Sequence, residues 1–339
     1  MLVAALLAVV IASSTAVAED TVVLNAPRAA PSRAKVMGRI VDYNGRELVL
    51  DIGGAEKRYP AEQVGNVETA WTPPQQAADE LFARREFAAA LAKYELALRG
   101  ESRRWVQRRI LAQMIWCLRN LDQYRRAGEL FLALARDDPA MLHISCIPLR
   151  WLPAQPAADL DKAAHEWLAS DAPVAVLLGA SHLLATADRG KLVQKLEQVS
   201  TGKDPRLAAL ARALVWNATF ASASPKQLSG WEDEIEAFPD EVRAGPYFAL
   251  GRALAHHKQP ERAALALLRV PLLYAEDGGL ASVALFEAGR SLEQADQSAA
   301  AARVYRELIA EHPRSRPANE AQQRLDQVDA QSPARDTNN

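Results

Sequence analysis

The apolar positions in the C-terminal third of the chain repeat themselves. Tyr247, Leu250, Gly251 and Leu254, followed by Ala263, Leu267 and Val270, return 38 residues later as Leu285, Ala288, Gly289 and Leu292, followed by Ala301, Tyr305 and Leu308. Within each set the spacing is mostly three or four, the signature of one buried helix face. Self-similarity at such a period marks a helical solenoid, in which each helix pair buries its apolar face only against its neighbours. A second pair of segments repeats at 37 residues: Phe87, Ala90, Tyr94 and Ala97, then Tyr124, Ala127, Phe131 and Leu134, closed by Pro139. Between the two pairs, residues 140–240 read as helical but less regular. Pro173 and Pro205 each open an apolar helix there, at the first helical position, where the missing N–H costs nothing. Those two helices read either as HEAT-like or degenerate repeat units, or as an irregular helical link that keeps the solenoid continuous.

The pattern changes before residue 72. Val36–Tyr43 is β-rich, and Leu48, Leu50 and Ile52 alternate along a return strand with one buried face. Asn44-Gly45 between them is the dipeptide a type I′ hairpin prefers, because both central residues need φ > 0. Gly53-Gly54 marks a second turn, a third strand follows near Lys57–Tyr59, and Val64–Glu68 closes the sheet. The resulting module, residues 35–71, is too short for an independent core and resembles a small SH3-like β-barrel. Residues 19–34, rich in Ala, Pro and Arg without periodicity, are expected to form a flexible lead. Residues 330–339 are expected to form a disordered tail.

The helix pairs resemble the tetratricopeptide repeat (TPR) family. That family places a small residue at the tight helix crossing, an aromatic four residues on, and often a terminating Pro. Ala263 and Ala301 stand at the crossing position, Leu267 and Tyr305 follow them, and Pro313 is the terminator. The first repeat pair carries Ala77-Ala78 and Met114-Ile115 where the second carries Leu250-Gly251 and Ala288-Gly289. The last repeat is similar to the variant in periplasmic proteins of Gram-negative envelopes, among them the Tol-Pal coordinator and outer-membrane assembly types. The expected fold is therefore mostly α: a TPR-like α-solenoid of antiparallel helix pairs behind a small SH3-like β module. Residues 72–139 hold the N-terminal repeats, 140–240 the irregular segment and 241–329 the C-terminal repeats.

Residues 1–18 form a short apolar run ending in Ala16-Val17-Ala18 before Glu19-Asp20. This reads as a secretory signal peptide and is about half the length a membrane span needs. No Lys or Arg precedes the run, so either the α-amino group alone supplies the positive charge or the segment extends further upstream. The expected product is exported, periplasmic or secreted, without a transmembrane anchor. Cys117 and Cys146 are the chain's two cysteines. They read as buried thiols, with a bridge across a helix pair as the alternative.

Composition excludes some functions. A net charge of −2 gives no global attraction to nucleic acid. No phosphate-binding Gly loop, H-E-x-x-H or G-x-S-x-G is present, so no catalytic residue, metal ligand or cofactor is expected. The adjacent pair His256-His257 diverges by roughly 100° on a helix and does not chelate. The acidic run Glu232–Glu234 with Glu236 reads as the start of a helix, where carboxylates complement the dipole. Arg99, Arg103, Arg104, Arg108 and Arg109 around Trp105 read as a solvated face, with an anionic envelope polymer or acidic peptide as the alternative.

In TPR arrays the first helix of each repeat lines the concave groove. The resemblance places Phe248 and Arg252 there, Phe286 and Arg290 one repeat on, and Arg109, Trp116 and Arg119 further up. Arg presents a fixed fork of donors suited to carboxylates, so the expected partner is a protein or peptide carrying acidic groups. The competing arrangement buries Phe248 and Phe286 between repeats and pairs Arg290 with Glu287 or Glu293. A glycan- or peptidoglycan-binding role for the β module, through Tyr43 and Tyr59, is the alternative function.

Overall fold

The computed structural model describes residues 19–25, 34–185 and 189–331. The expected signal peptide and most of the expected tail fall outside them. The chain opens with five antiparallel strands: β1 (Asp20–Leu24), β2 (Lys35–Tyr43), β3 (Glu47–Ile52), β4 (Ala55–Pro60) and β5 (Val64–Glu68), with a 3₁₀ turn at Ala61–Gln63 before the last. Their order is β4-β3-β2-β1-β5. The long β2 pairs with β1 along its first half and with β3 along its second, across an irregularity between Ile40 and Asp42. The module is thus a small antiparallel sheet in which one strand is shared by two halves. The expected flexible lead over 19–34 is corrected at its start: residues 20–24 form β1, which lies between β2 and β5. Thr21-Val22-Val23-Leu24 is a β-favouring run, and Val22 and Val23 are buried with Ile40, Leu48 and Leu50. Residues 26–33 of the expected lead lie outside the described residues.

The type I′ turn also moves. Gly53 and Gly54 have φ of 62° and 89°, the values such a turn requires. Asn44 and Gly45 are not left-handed. Asn44 Oδ1 instead accepts from the backbone N–H of Arg46 (2.9 Å) and Glu47 (3.2 Å). Gly45 lies directly on the following domain: a Cβ there would stand 2.3 Å from the Ala140 carbonyl oxygen. Its N–H donates to Asp138 Oδ2 at 3.0 Å.

The helices are α1 (Pro73–Ala83), α2 (Phe87–Gly100), α3 (Arg104–Asn120), α4 (Tyr124–Asp137), α5 (Ala158–Ala169), α6 (Pro173–His182), α7 (Arg189–Ser200), α8 (Pro205–Thr219), α9 (Pro225–Ala237), α10 (Ala244–His256), α11 (Pro260–Leu273), α12 (Gly278–Gln294), α13 (Ser298–Glu311) and α14 (Arg316–Gln331). In the pairs α1–α2, α3–α4, α10–α11 and α12–α13 one turn recurs. Arg85, Asp122, Lys258 and Asp296 each adopt a left-handed φ of 55–58°. The next residue's N–H then reaches back to the carbonyl of Leu81, Leu118, Leu254 or Leu292 at 2.9–3.0 Å. This is the Schellman closure of a helix C-terminus, repeated at the sequence period. The α5–α6 and α7–α8 connections contain no left-handed residue. Gly251 and Gly289 make the tight crossing in the last two repeats: a Cβ would stand 2.5 Å from Leu267 and 2.3 Å from Tyr305. The final helix, α14, covers the open end through Ala318, Ala321 and Leu325.

The acidic run lies in the second half of α9. That helix begins at Pro225 behind a Ser224–Gln227 capping box. The carboxylates reach across to neighbouring helices: Glu232 pairs with Arg262 at 2.8 Å and Glu234 with Arg212. The basic cluster is only partly a solvated face: Arg99 and Arg104 are exposed, but most of its members are engaged. Arg103 binds Glu101, Thr69 and the Ala70 carbonyl, and Arg104 binds Asp137. Arg108, 5% exposed, joins Asp42 at 2.8 Å, the Tyr43 carbonyl at 3.1 Å and Asp137 at 2.6 Å. These arginines fix the β module to the first two repeats. One continuous apolar core runs from Val22 to Leu325.

Two further contacts decide the shape of the interior. Residues 141–151 carry Met141, Ile144, Cys146, Ile147, Leu149 and Trp151, all buried, between α3, α8 and α10. The Trp151 indole occupies the space beside Gly245, where a Cβ would stand 1.9 Å from the ring. Its carbonyl accepts from Asn217 Nδ2 at 2.7 Å. The space expected to be an open groove is thus filled there by the chain itself. The last repeat then meets the first two: Arg119 of α3 forms a buried ion pair with Asp277, at the N-cap of α12. Arg85 Nη1 donates to His312 Nδ1 at 3.1 Å.

Candidate functional site

The structure does not bring the seven expected groove residues into one surface. Phe248 is fully buried. Arg252 turns inward, donating to Asn217 Oδ1 at 2.7 Å and lying 5.3 Å over the Phe220 ring, and burial lowers its pKa. Phe286 packs beside Tyr305, with ring centroids 6.1 Å apart. Arg290 pairs with Glu287 at 3.4 Å within its own helix. The Phe–Arg stripe is therefore not continuous: Phe248 and Arg252 turn inward, the latter against the Trp151 segment, whereas Phe286 is half-buried and Arg290 is exposed in a local ion pair. On α3 the outcome differs. Arg109 and Trp116 line one cleft and Arg119 lines another.

The larger cleft lies at the seam between the first and last repeats. Its volume is about 940 Å³, at the upper end of the ~300–1,000 Å³ typical of ligand pockets. Its walls are the α1–α2 and α3–α4 turns, residues 149–154, the start of α12 and the α13–α14 turn. Six arginines line it: Arg84, Arg85, Arg119, Arg150, Arg314 and Arg316, against four acids, Glu86, Asp122, Asp277 and Glu311. Arg119 is committed to Asp277 and lies 4.3 Å over Trp116. Arg150 lies 4.9 Å over Tyr124 and 3.7 Å from Asp122. Arg84 is exposed and pairs with the half-exposed Glu86 at 3.2 Å, and Arg314 is exposed. The cleft is positively biased in a chain whose net charge is −2. Leu152 and Val283 add apolar lining. Sequence reading missed Arg84, Arg85, Arg150, Arg314 and Arg316 because they sit in turns, in the irregular segment or at the first residue of α14, outside the helical periodicity. The one available signal was that Arg84-Arg85 and Arg314 stand at the ends of repeat helices.

The smaller cleft, about 390 Å³, lies between β5 and the face of α3 that carries Trp105, Arg109, Gln113 and Trp116, with His143 and Ser145 on its floor. Arg109 lies 4.3 Å over Trp71 and 3.7 Å from Asp79. Burial lowers the His143 pKa to about 4, so the ring is neutral at physiological pH.

Among the described residues no group of three His, Cys, Asp or Glu side chains is placed to hold a metal. His257 Nε2 is 2.7 Å from the Phe220 carbonyl. Cys117 and Cys146 are free and buried, and burial pushes both thiols up to about 12, which leaves them unreactive. Tyr43 and Tyr59 are half-buried. No described helix is long and apolar enough to cross a membrane.

Residues 283–315, the greater part of α12 with α13 and its terminating turn, match the tetratricopeptide repeat family. A search of curated proteins returns no match. The chain thus carries a tetratricopeptide repeat within a mostly helical solenoid, a type that serves in protein–protein interaction.

Proposed function

We propose that this chain is an exported, non-enzymatic repeat scaffold of the cell envelope that holds a protein or peptide partner bearing acidic groups in the seam cleft. The observation that carries the reading is the set of six arginines converging on one cleft at the junction of the first and last repeats. Arg84 and Arg314 have room to turn toward a ligand, and charge-assisted bonds to carboxylates are about twice as strong as neutral ones. Export follows from the apolar run and A-x-A pattern of residues 1–18, and the envelope setting from the resemblance of the last repeat.

Two measurements test it. The mature N-terminus of the chain, sequenced by mass spectrometry after expression in a Gram-negative host, is expected to be Glu19; an intact Met1 in the soluble fraction would remove the export reading. Pull-down from an envelope fraction is expected to lose its main partner, roughly tenfold or more, when Arg84→Glu and Arg314→Glu are combined, given about 1.5–3 kcal/mol per charged hydrogen bond. Capture that is unchanged by the double reversal and insensitive to salt would discard the seam cleft as the site.

A further inference from the structure

Two polar contacts tie the last repeat to the first two, and they differ in kind. Arg119 and Asp277 are a matched, buried ion pair. Arg85 instead donates from Nη1 to His312 Nδ1 at 3.1 Å. Burial first, and then the charge of Arg85, hold that imidazole at about 4, so it is neutral at pH 7 and leaves the guanidinium charge uncompensated. Among the described residues Arg85 pairs with no carboxylate. Arg314 stands two residues beyond His312 on the last-repeat wall, exposed and likewise without a carboxylate partner among the described residues. Both arginines line the seam cleft, and Glu311, which also lines it, pairs with neither.

Each wall thus presents an unneutralised guanidinium to the other. The neighbouring Arg84 and Arg316 do have partners, Glu86 at 3.2 Å and Glu320 at 2.8 Å, but pairs this exposed to solvent contribute little. Like charges facing each other across a cleft oppose its closure, and the Arg119–Asp277 pair works against that repulsion. A carboxylate held between Arg85 and Arg314 reverses the sign: one repulsion becomes two charge-assisted contacts. Arg85 has donors left for it, since only its Nη1 is engaged.

We propose that the seam is a clasp. An acidic group of the partner bridges Arg85 on the first-repeat wall and Arg314 on the last-repeat wall, and its binding and the closure of the solenoid are one coupled equilibrium. The inference rests on the seam cleft being the partner's site. A ligand that touches both walls binds the closed arrangement better than the open one, and by that difference it shifts the balance toward closure. Linkage makes the effect reciprocal: whatever loosens the seam weakens the ligand.

The probe is hexaglutamate, and the variant that tests the coupling is Asp277→Asn. Asparagine caps a helix as well as aspartate does, so α12 keeps its start while the seam loses its ion pair. Asp277 is also one of the acids lining the cleft. If charge alone governed binding, removing it would tighten hexaglutamate. Coupling predicts the opposite: about tenfold weaker binding by calorimetry, within the range usual for linked sites. Spin labels at Ala88→Cys and Ala310→Cys are expected to report a longer, broader distance in this variant, and saturating hexaglutamate to return it to the parent's value. In the parent chain the peptide is expected to slow amide exchange on both walls, at residues 84–89 and 312–316. A peptide that fails to bind the parent, or binds Arg84→Glu with Arg314→Glu equally well, overturns the seam site and the clasp together. A peptide that binds the parent and not that double reversal overturns the clasp alone if it binds Asp277→Asn as tightly as the parent, leaves the label distance of that variant unchanged, or protects one wall only.

Discussion

At the scale of single residues, the repeat turns impose a cost that the sequence accepts four times. A non-glycine residue in the left-handed region costs about 1–2 kcal/mol, yet Arg85, Asp122, Lys258 and Asp296 all sit there. Lys258 is exposed and its side chain pairs with nothing among the described residues, so Lys258→Gly is expected to raise stability by about 0.5–1 kcal/mol in a urea titration. At Arg85 the same change is expected to be unfavourable, because it removes the bond to His312. The buried histidines make a separate prediction. Burial holds His182, between the rings of Tyr124 and Trp167, at about 3 and His312 at about 4, below the usual 6.5. The unfolded chain therefore takes up these protons first as pH falls. Stability is fully present above pH 6.5 and declines from there toward pH 4, by up to about 1.4 kcal/mol per pH unit for each such histidine. Urea midpoints at pH 7 and pH 5 check the slope, and His312→Gln is expected to flatten it; a midpoint that rises on acidification would contradict the assignment.

At the scale of elements, the periodic parts were legible and the interfaces between them were not. The 38-residue period located α10–α13 because Gly251 and Gly289 must be small at their crossings, and the same spacing rules apply to any sequence. Gly53-Gly54 and the alternation of Leu48 and Leu50 likewise followed from local geometry. By contrast, β1 was concealed by its short length and by the Pro- and Arg-rich composition that follows it. Asn44-Gly45 does join β2 to β3 as its composition signals, but not with left-handed geometry, and its glycine also answers a contact with Ala140, far along the chain. The Arg103–Arg109 cluster looked solvated because its acidic partners Asp42, Asp79 and Asp137 are distant in sequence. The inward turn of Arg252 was hidden for the same reason: its partners, the Trp151 carbonyl and Asn217, are distant in sequence. Removing the clamp tests the β-module interface. Arg108→Ala is expected to cost about 2–3 kcal/mol, short of the 3–5 kcal/mol of a fully buried pair, because Asp42 and Asp137 keep about a third of their side chains exposed. Limited proteolysis of that variant is expected to cut the 69–72 connection first.

At the scale of the whole molecule, the chain is a solenoid whose end returns to its beginning. Asp277 and His312 of the last repeat bind Arg119 and Arg85 of the first two, and residues 141–151 occupy the space they enclose. Gly245 is where that packing is tightest, so Gly245→Ala is expected to displace Trp151 and destabilise the chain severely, by several kcal/mol. The closure creates the seam cleft, and with it the site the proposed function requires. Ala88 on α2 and Ala310 on α13 are exposed and line opposite walls of that cleft. Spin labels placed at Ala88→Cys and Ala310→Cys, with the native thiols buried and unreactive, read the closure directly by pulsed electron resonance. A single narrow, short distance that broadens and lengthens in Arg119→Ala is the predicted result. A long, broad distribution in the parent chain, unaffected by Arg119→Ala, would contradict the closed architecture.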